Sequence, residues 1–155
     1  MQKTRDNAAL AAAIGSYYRL MRARDARFRW RNPDWWKDET HATVFCARSG
    51  ERVDGFLIVG SGPYADPDVT SEICDLYSRG GLAVLGALTR QARPRLAPPW
   101  GFQVMASNRR AAAVFEWLLN RQSLEWTARE AEEDGVTVIK YRVQTMRRSD
   151  ARVEP

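Results

Sequence analysis

Residues Ile73-Cys74-Asp75-Leu76-Tyr77-Ser78-Arg79-Gly80-Gly81-Leu82-Ala83 constrain this chain more than any other stretch. An apolar strand stops, an aromatic residue precedes a basic, glycine-rich turn, and an Ala/Leu-rich helix begins at once and runs to about Arg93. Such an order predicts a strand–turn–helix connection. It also builds an anion cradle, because the turn amides point at a common centre and the helix N-terminus adds its positive dipole.

The 155 residues suit a single domain that buries a core without staples. We place that domain at residues 1–143 and read 144–155 as a polar, charged tail. No apolar run approaches the length of a membrane span, and Ala8 to Ile14 is too short and alanine-rich for a signal-peptide core. Cys46 and Cys74 sit singly inside strand-like segments, so a reduced, cytoplasmic protein without membrane association is expected. A lone His41 beside two scattered cysteines offers no usual zinc spacing, and no metal is expected. The net charge of +5 is carried mostly by arginines, crowded between Arg19 and Arg31 and again at Arg90, Arg93 and Arg95. That surface attracts polyanions or a phosphorylated ligand by its field, and it serves solubility equally well.

A helix is expected from Asn7 to about Arg29, with Leu10, Ile14, Tyr17, Tyr18 and Met21 on one apolar face. Asn32-Pro33-Asp34 ends it, because the residue before proline is pushed out of the helical region. Trp30, Trp35 and Trp36 bracket this break, where tryptophans either wall a pocket or seal a helix onto the core. His41–Ala47 and Val53–Gly60 alternate as a β-hairpin around Ser49-Gly50-Glu51-Arg52. Val69–Cys74 is a third strand and Leu82–Gln91 a helix; Phe102–Ala106 is a fourth strand after the Pro98-Pro99 stop. Arg109–Arg121 is a helix with Ala112, Phe115, Leu118 and Leu119 inward, and Leu124–Arg129 pairs with Val136–Val143 across the acidic turn Glu130–Gly135. This order implies an α+β fold in three α/β/α layers. Its sheet is mixed, twisted and mostly antiparallel, with at least one parallel crossover and flanking helices.

The element order resembles the GCN5-related N-acetyltransferase (GNAT) family over roughly residues 7–143. The family's cofactor loop reads Gln/Arg-x-x-Gly-x-Gly/Ala. Here Ser78-Arg79-Gly80-Gly81-Leu82-Ala83 matches at Gly81 and Ala83 and departs at Ser78. Upstream, Ile73, Asp75 and Tyr77 occupy the family's apolar, frequent-proline and aromatic positions, with Asp75 in place of the proline. After the next strand the family often carries Asn-x-x-Ala-x-x-x-Tyr. This chain has Asn108 and Ala111 there, but the tyrosine has become Phe115.

The resemblance implies an acyl-CoA N-acyltransferase fold and acetyl-CoA-dependent transfer of an acetyl group to an amine of a small molecule or protein. It implies that the cofactor lies along Ile73, Cys74 and Asp75, with its pyrophosphate on Ser78, Arg79, Gly80, Gly81, Leu82 and Ala83 and with Asn108 and Phe115 beside it. Asn108 is also a good helix N-cap, and Phe115 cannot donate the proton that the family's tyrosine offers the coenzyme sulfur. The family's base, where it has one, is commonly a carboxylate on the strand before the loop. Glu72 is the first candidate and Asp68 the second, since Asp68, Thr70 and Glu72 share a face of a regular strand. Glu72 also reads as a solvated or ion-paired strand residue. The acceptor site would be lined by Tyr17, Tyr18, Trp35, Trp36 and Trp126, aromatic walls that suit a flat or apolar acceptor while the arginines suit an anionic one. Homodimers are common in the family. Two alternatives are a GNAT-fold binding module that has lost catalysis and a small basic nucleic-acid-binding domain; nucleic acid is the less favoured partner.

Overall fold

The structure is a computed structural model that describes residues 2–24 and 34–146. The expected helix end at Arg29, Trp30, the Asn32-Pro33 break, the arginines at 27, 29 and 31, and residues 147–155 of the expected tail lie outside these. The elements are α1 (Gln2–Arg24), β1 (Ala42–Ser49), β2 (Arg52–Ser61), β3 (Ser71–Ser78), α2 (Gly81–Ala92), β4 (Trp100–Met105), α3 (Arg109–Arg121), β5 (Leu124–Glu133) and β6 (Val136–Met146). One six-stranded sheet runs β1-β2-β3-β4-β6-β5. Every neighbouring pair is antiparallel except β3 and β4, which are parallel and joined through α2.

Strand β2 shows how the sheet divides the core. Leu57 and Val59 pack with Leu88 of α2, Leu119 of α3, Phe102 and Tyr141. Phe56 and Ile58 point the other way, onto Leu10, Ile14 and Tyr18 of α1 and onto Trp35 and Trp36. Alternation along a strand buried on both faces therefore makes the expected three layers, with α1 on one side and α2 and α3 on the other.

Several boundaries differ from expectation, each for a physical reason. Helix α1 begins at Gln2 rather than Asn7, because nothing from Gln2 to Asp6 breaks a helix. Strand β3 spans Ser71–Ser78 rather than Val69–Cys74, since Tyr77 and Ser78 still pair with Phe56 and Gly55 of β2. Asp68 and Thr70 therefore precede the strand and do not share a strand face with Glu72. Strand β4 starts at Trp100, paired with Val143. The last hairpin extends to Glu133 and Val136 around Asp134-Gly135. Its acidic residues form strand because β5 is an edge whose outer face meets water. Strand β6 continues past residue 143 to Met146, which pairs with Leu124.

The feature that positions the site is a short pairing. Strands β3 and β4 register only at Ser71–Trp100, Glu72–Gly101 and Ile73–Phe102, and then part. On its other edge β3 stays with β2, but Ile58 pairs with Asp75 and Val59 with Ile73, leaving Cys74 as an inserted residue. Such a bulge bends its strand, while β4 remains fully paired to β6. The sheet opens at that point.

Leu88 is fully buried between sheet and helices. Leu88→Ala is expected to lower unfolding stability by about 2–5 kcal/mol in chemical denaturation, whereas Leu82→Ala on the exposed start of α2 changes it by less than about 0.5 kcal/mol.

Candidate active site

The glycine turn lies at the end of β3. The Arg79 amide donates to the Asp54 carbonyl at 2.7 Å, fixing the turn to β2. The Asp54 carboxylate takes hydrogen bonds from the Ser49 hydroxyl and from Arg52 Nε, and these, the Ser49 contact foremost, hold it below the usual carboxylate range. The two glycines have different duties. A Cβ on Gly80 would lie 2.2 Å from Val84 Cγ2, so Gly80 leaves room for α2 to pack. Gly81 has φ +68° and open space where a Cβ would project, so it alone uses the left-handed freedom of glycine. Helix α2 has no side-chain cap; Ser78 Oγ donates instead to the Gly81 carbonyl at 3.0 Å and braces the turn. The first N–H groups of α2 lack intrahelical partners by geometry, and the exposed turn presents them beside Arg79. An anion fits this end of the helix.

Between β3 and β4, where they part, lies a cavity of about 400 Å³. Tyr17, Tyr18 and Trp35 line it from the α1 side, and Asn108, Ala111 and Phe115 from the α3 side. One opening thus passes through the sheet. Among the described residues, no strand pairs with the β4-facing edge of β3 beyond Ile73.

The carboxylates occupy distinct places. Glu72 is buried, accepts from the Asp66 amide at 2.7 Å through Oε2, and lines both this cavity and a second one of about 290 Å³ under the loop before β3. Asp68 lines only the second cavity, is 67% exposed and faces Arg129 at 3.7 Å. Asp75 is buried at the bulge and accepts from the Tyr18 hydroxyl at 2.9 Å, while Trp35 Nε1 donates to the same hydroxyl at 3.1 Å. Burial, then the charge of Asp75, pushes the Tyr18 pKa far above its ordinary value, so the hydroxyl remains a donor. From sequence Asp75 belongs with the cofactor; its link to α1 shows only in the tertiary structure. The available signal was an aspartate inside an apolar strand. Cys74, beside it, donates its thiol to the Tyr64 carbonyl at 3.3 Å.

The remaining sequence candidates separate. Phe115 stacks on Phe102 with centroids 4.2 Å apart, and Phe102 stacks on Tyr141 at 4.5 Å. The Tyr141 hydroxyl donates to Glu116 at 2.8 Å and is shifted upward by burial and by that carboxylate. The hydroxyls that line the cavity are those of Tyr17 and Tyr18, on the α1 side, across from Phe115. Asn108 lines the cavity while its Oδ1 accepts from the Ala111 amide at 3.3 Å, capping α3. Trp36 is buried in the α1-side core, outside the cavity. Trp126 lies across the sheet, donating to Asn120 Oδ1 at 3.1 Å and packing on Tyr141. Of the five aromatic residues read as an acceptor wall, the cavity brings together Tyr17, Tyr18 and Trp35.

The loop before β3 is tied down by Lys140, whose Nζ meets Asp66 at 2.7 Å and Glu133 at 2.5 Å. Burial opposes both charges. The hydrogen bonds nevertheless dominate, raising the Lys140 pKa and lowering that of Asp66.

A central parallel step, a bulged strand, a glycine turn into a helix and a closing hairpin together define the GNAT, or acyl-CoA N-acyltransferase, fold. The fold is shared with an Arabidopsis thaliana protein, NAA60, in complex with a bisubstrate analogue, at TM-score 0.53 and 12% identity over 84% of this chain and 91% of that one. A Bacillus anthracis protein described as a streptothricin acetyltransferase, in complex with acetyl coenzyme A, matches at TM-score 0.51 and 13% identity over 71% of this chain. The match spans 65% of that second protein's length. No family model and no curated protein matches the sequence. No helix among the described residues is long and apolar enough to cross a membrane.

Two substitutions probe this construction. Gly81→Ala forces an L-residue into the left-handed region and is expected to cost about 1–2 kcal/mol in chemical denaturation. Lys140→Met should cost about 1–3 kcal/mol near neutral pH. The depressed Asp66 contributes stability above its unfolded pKa and loses it as pH falls through the folded value; Lys140 loses its share as pH rises through its raised value. The Lys140→Met penalty is therefore largest between about pH 4 and 10 and shrinks on either side, as unfolding measured across pH will show.

Proposed function

We propose that the protein is an acetyl-CoA-dependent N-acetyltransferase acting on an amine. The observation that carries this is one strand serving two halves of a site: β3 ends in an uncapped glycine turn and, a few residues earlier, leaves β4 to open a cavity through the sheet. The residues present fit coenzyme A. Open space above Gly81 and the first-turn amides of α2 suit a pyrophosphate, and the edge of β3 that β4 leaves beyond Ile73 suits the amide-bearing pantetheine arm. Ser78 braces the turn, Arg79 adds charge, and Asn108 and Phe115 flank the arm. Acetyl-CoA supplies, when bound, an acetyl thioester whose thiolate leaves readily, so phenylalanine at position 115 does not bar transfer.

The acceptor enters from the α1 side, against Tyr17, Tyr18 and Trp35. An alkylammonium must lose its proton before its nitrogen can attack. Glu72 is the base in this proposal, because it is buried at the wall of the cavity and its contact with the Asp66 amide fixes its direction. Asp68 is not given that role, since it lines only the second cavity. Cys46 and Cys74 form no disulfide, which supports a reduced, cytoplasmic setting. Phe115 favours one competing function, a GNAT-fold protein that binds acetyl-CoA without turnover.

Acetyl-CoA at about 100 times its dissociation constant is expected to stabilise the protein by about 2.7 kcal/mol in thermal unfolding, and Gly81→Val to remove that increment. Glu72→Gln should lower kcat about 100-fold or more while preserving the cofactor-induced shift. No shift at millimolar acetyl-CoA would sink the proposal. A shift without turnover on a broad amine panel would select the binding module.

A further inference from the structure

The second cavity offers hydrogen-bond donors that nothing among the described residues engages. Glu72, Phe102 and Gln103 line it together with the central cavity, so the two adjoin. Its acidic groups are occupied. Asp66 accepts from Lys140 and from the Asp68 amide, Asp68 faces Arg129, and Glu72 accepts from the Asp66 amide. Lys140 is engaged in turn by Asp66 and Glu133. Three polar side chains of the wall are left over: Arg142, Thr127 and Gln103 make no hydrogen bond or ion pair among the described residues. A guanidinium, a hydroxyl and a carboxamide are all able to donate.

Register sets these donors relative to Glu72. Glu72 of β3 pairs with Gly101 of β4, Gly101 with Arg142 of β6, and Arg142 with Thr127 of β5. One row therefore crosses four strands, with the base proposed above at its start and the guanidinium two strands away. Gln103 stands two residues along β4, on the same face as Gly101. Gly101 brings no side chain between Glu72 and Arg142, and Val69 lies low over it, 3.3 Å from where a Cβ would sit. Strand spacing of about 4.8 Å puts the Glu72 and Arg142 backbones about 10 Å apart, and side chains rise from a sheet roughly side by side. A hydrogen bond of about 3 Å at each end leaves room for a short ligand, with one or two carbons between its polar groups. The fork of Arg142 matches a planar carboxylate by two parallel hydrogen bonds. Thr127 and Gln103 can donate to the same group.

We infer that the acceptor is a free amino acid, its carboxylate held by Arg142 in the second cavity and its amine at Glu72, where the two cavities meet. Its side chain then extends into the central cavity, toward Tyr17, Tyr18 and Trp35. The chemistry rests on the acetyltransferase proposal above; the carboxylate site does not. The ammonium passes one proton to Glu72, the freed lone pair forms the bond to the acetyl carbon, and the carbon–sulfur bond breaks to release coenzyme A thiolate. The nitrogen's second proton is lost to solvent, and Glu72 returns its own there. The product is an N-acetyl amino acid that keeps its carboxylate.

The test is a calorimetric titration of the full chain, with and without coenzyme A, against the twenty amino acids, their amides and the amines that remain when the carboxylate is removed. The tightest ligand is expected to be an amino acid, bound about tenfold or more tighter than its own amide or decarboxylated amine. The same order should appear in kcat/KM with acetyl-CoA. Arg142 is exposed, so its replacement leaves the fold intact. Arg142→Gln should bring the ratio of amino acid to amide toward one without weakening the amide. Arg142→Glu should favour the amide and the amine, and Arg121→Gln at the exposed end of α3 should leave the ratio unchanged. Amides binding as tightly as amino acids, a preference that survives Arg142→Gln, or no amino acid binding at millimolar concentration would overturn the inference. Turnover on amines with no advantage for the carboxylate defeats this inference alone. Amino acid binding that needs Arg142, in a protein that does not bind acetyl-CoA, defeats the acetyltransferase proposal and upholds the carboxylate site.

Discussion

The parting of β3 from β4 after Ile73 and Phe102 is the constraint on which the site depends. Parallel strands joined by a helix would ordinarily stay paired along their shared length. Here the inserted Cys74 bends β3 while β2 keeps its register on the far edge, and β4 stays committed to β6. Neither neighbour can follow the other, so a gap opens inside an otherwise continuous sheet. The cavity and the edge of β3 that β4 leaves thus have one origin.

Burying an aspartate at the gap carries a desolvation cost that a hydrogen-bonded partner must offset. Tyr18 supplies it from α1, and Trp35 orients Tyr18 in turn. The same contacts hold the helix over the cavity, so the polar feature at the site also fixes the layer that covers it. On the opposite side, Lys140 ties the loop before β3 to the last hairpin. Strand β3 is therefore restrained at its entry, at its bulge and, through Asp54 and Arg79, at its exit.

Several residues that read as ligand contacts have intramolecular partners. Asn108 caps α3, Ser78 braces its turn, and Trp126 meets Asn120. Polar residues next to helix termini suit both uses, because the orphan amides that bind anions are the same groups that caps satisfy. Residue type at a turn cannot separate the two. Asp68 and Glu72 share a face only if a regular strand runs back to Asp68; pairing begins at Ser71 and leaves Asp68 facing Arg129.

The sequence by itself determined the element types and their order, the three layers, the parallel step through α2 and the glycine turn. Each of these follows from local periodicity, from apolar alternation, or from a backbone conformation that only glycine takes easily. Tertiary structure alone decided where β3 leaves β4, that Asp75 meets Tyr18, that Glu72 reaches the cavity while Asp68 does not, and that Trp126 stands apart from Tyr17. Those outcomes depend on register and on which faces of separate elements meet. A one-residue bulge reverses which side of a strand a residue faces, and no local pattern in this chain announces that Cys74 is the residue inserted.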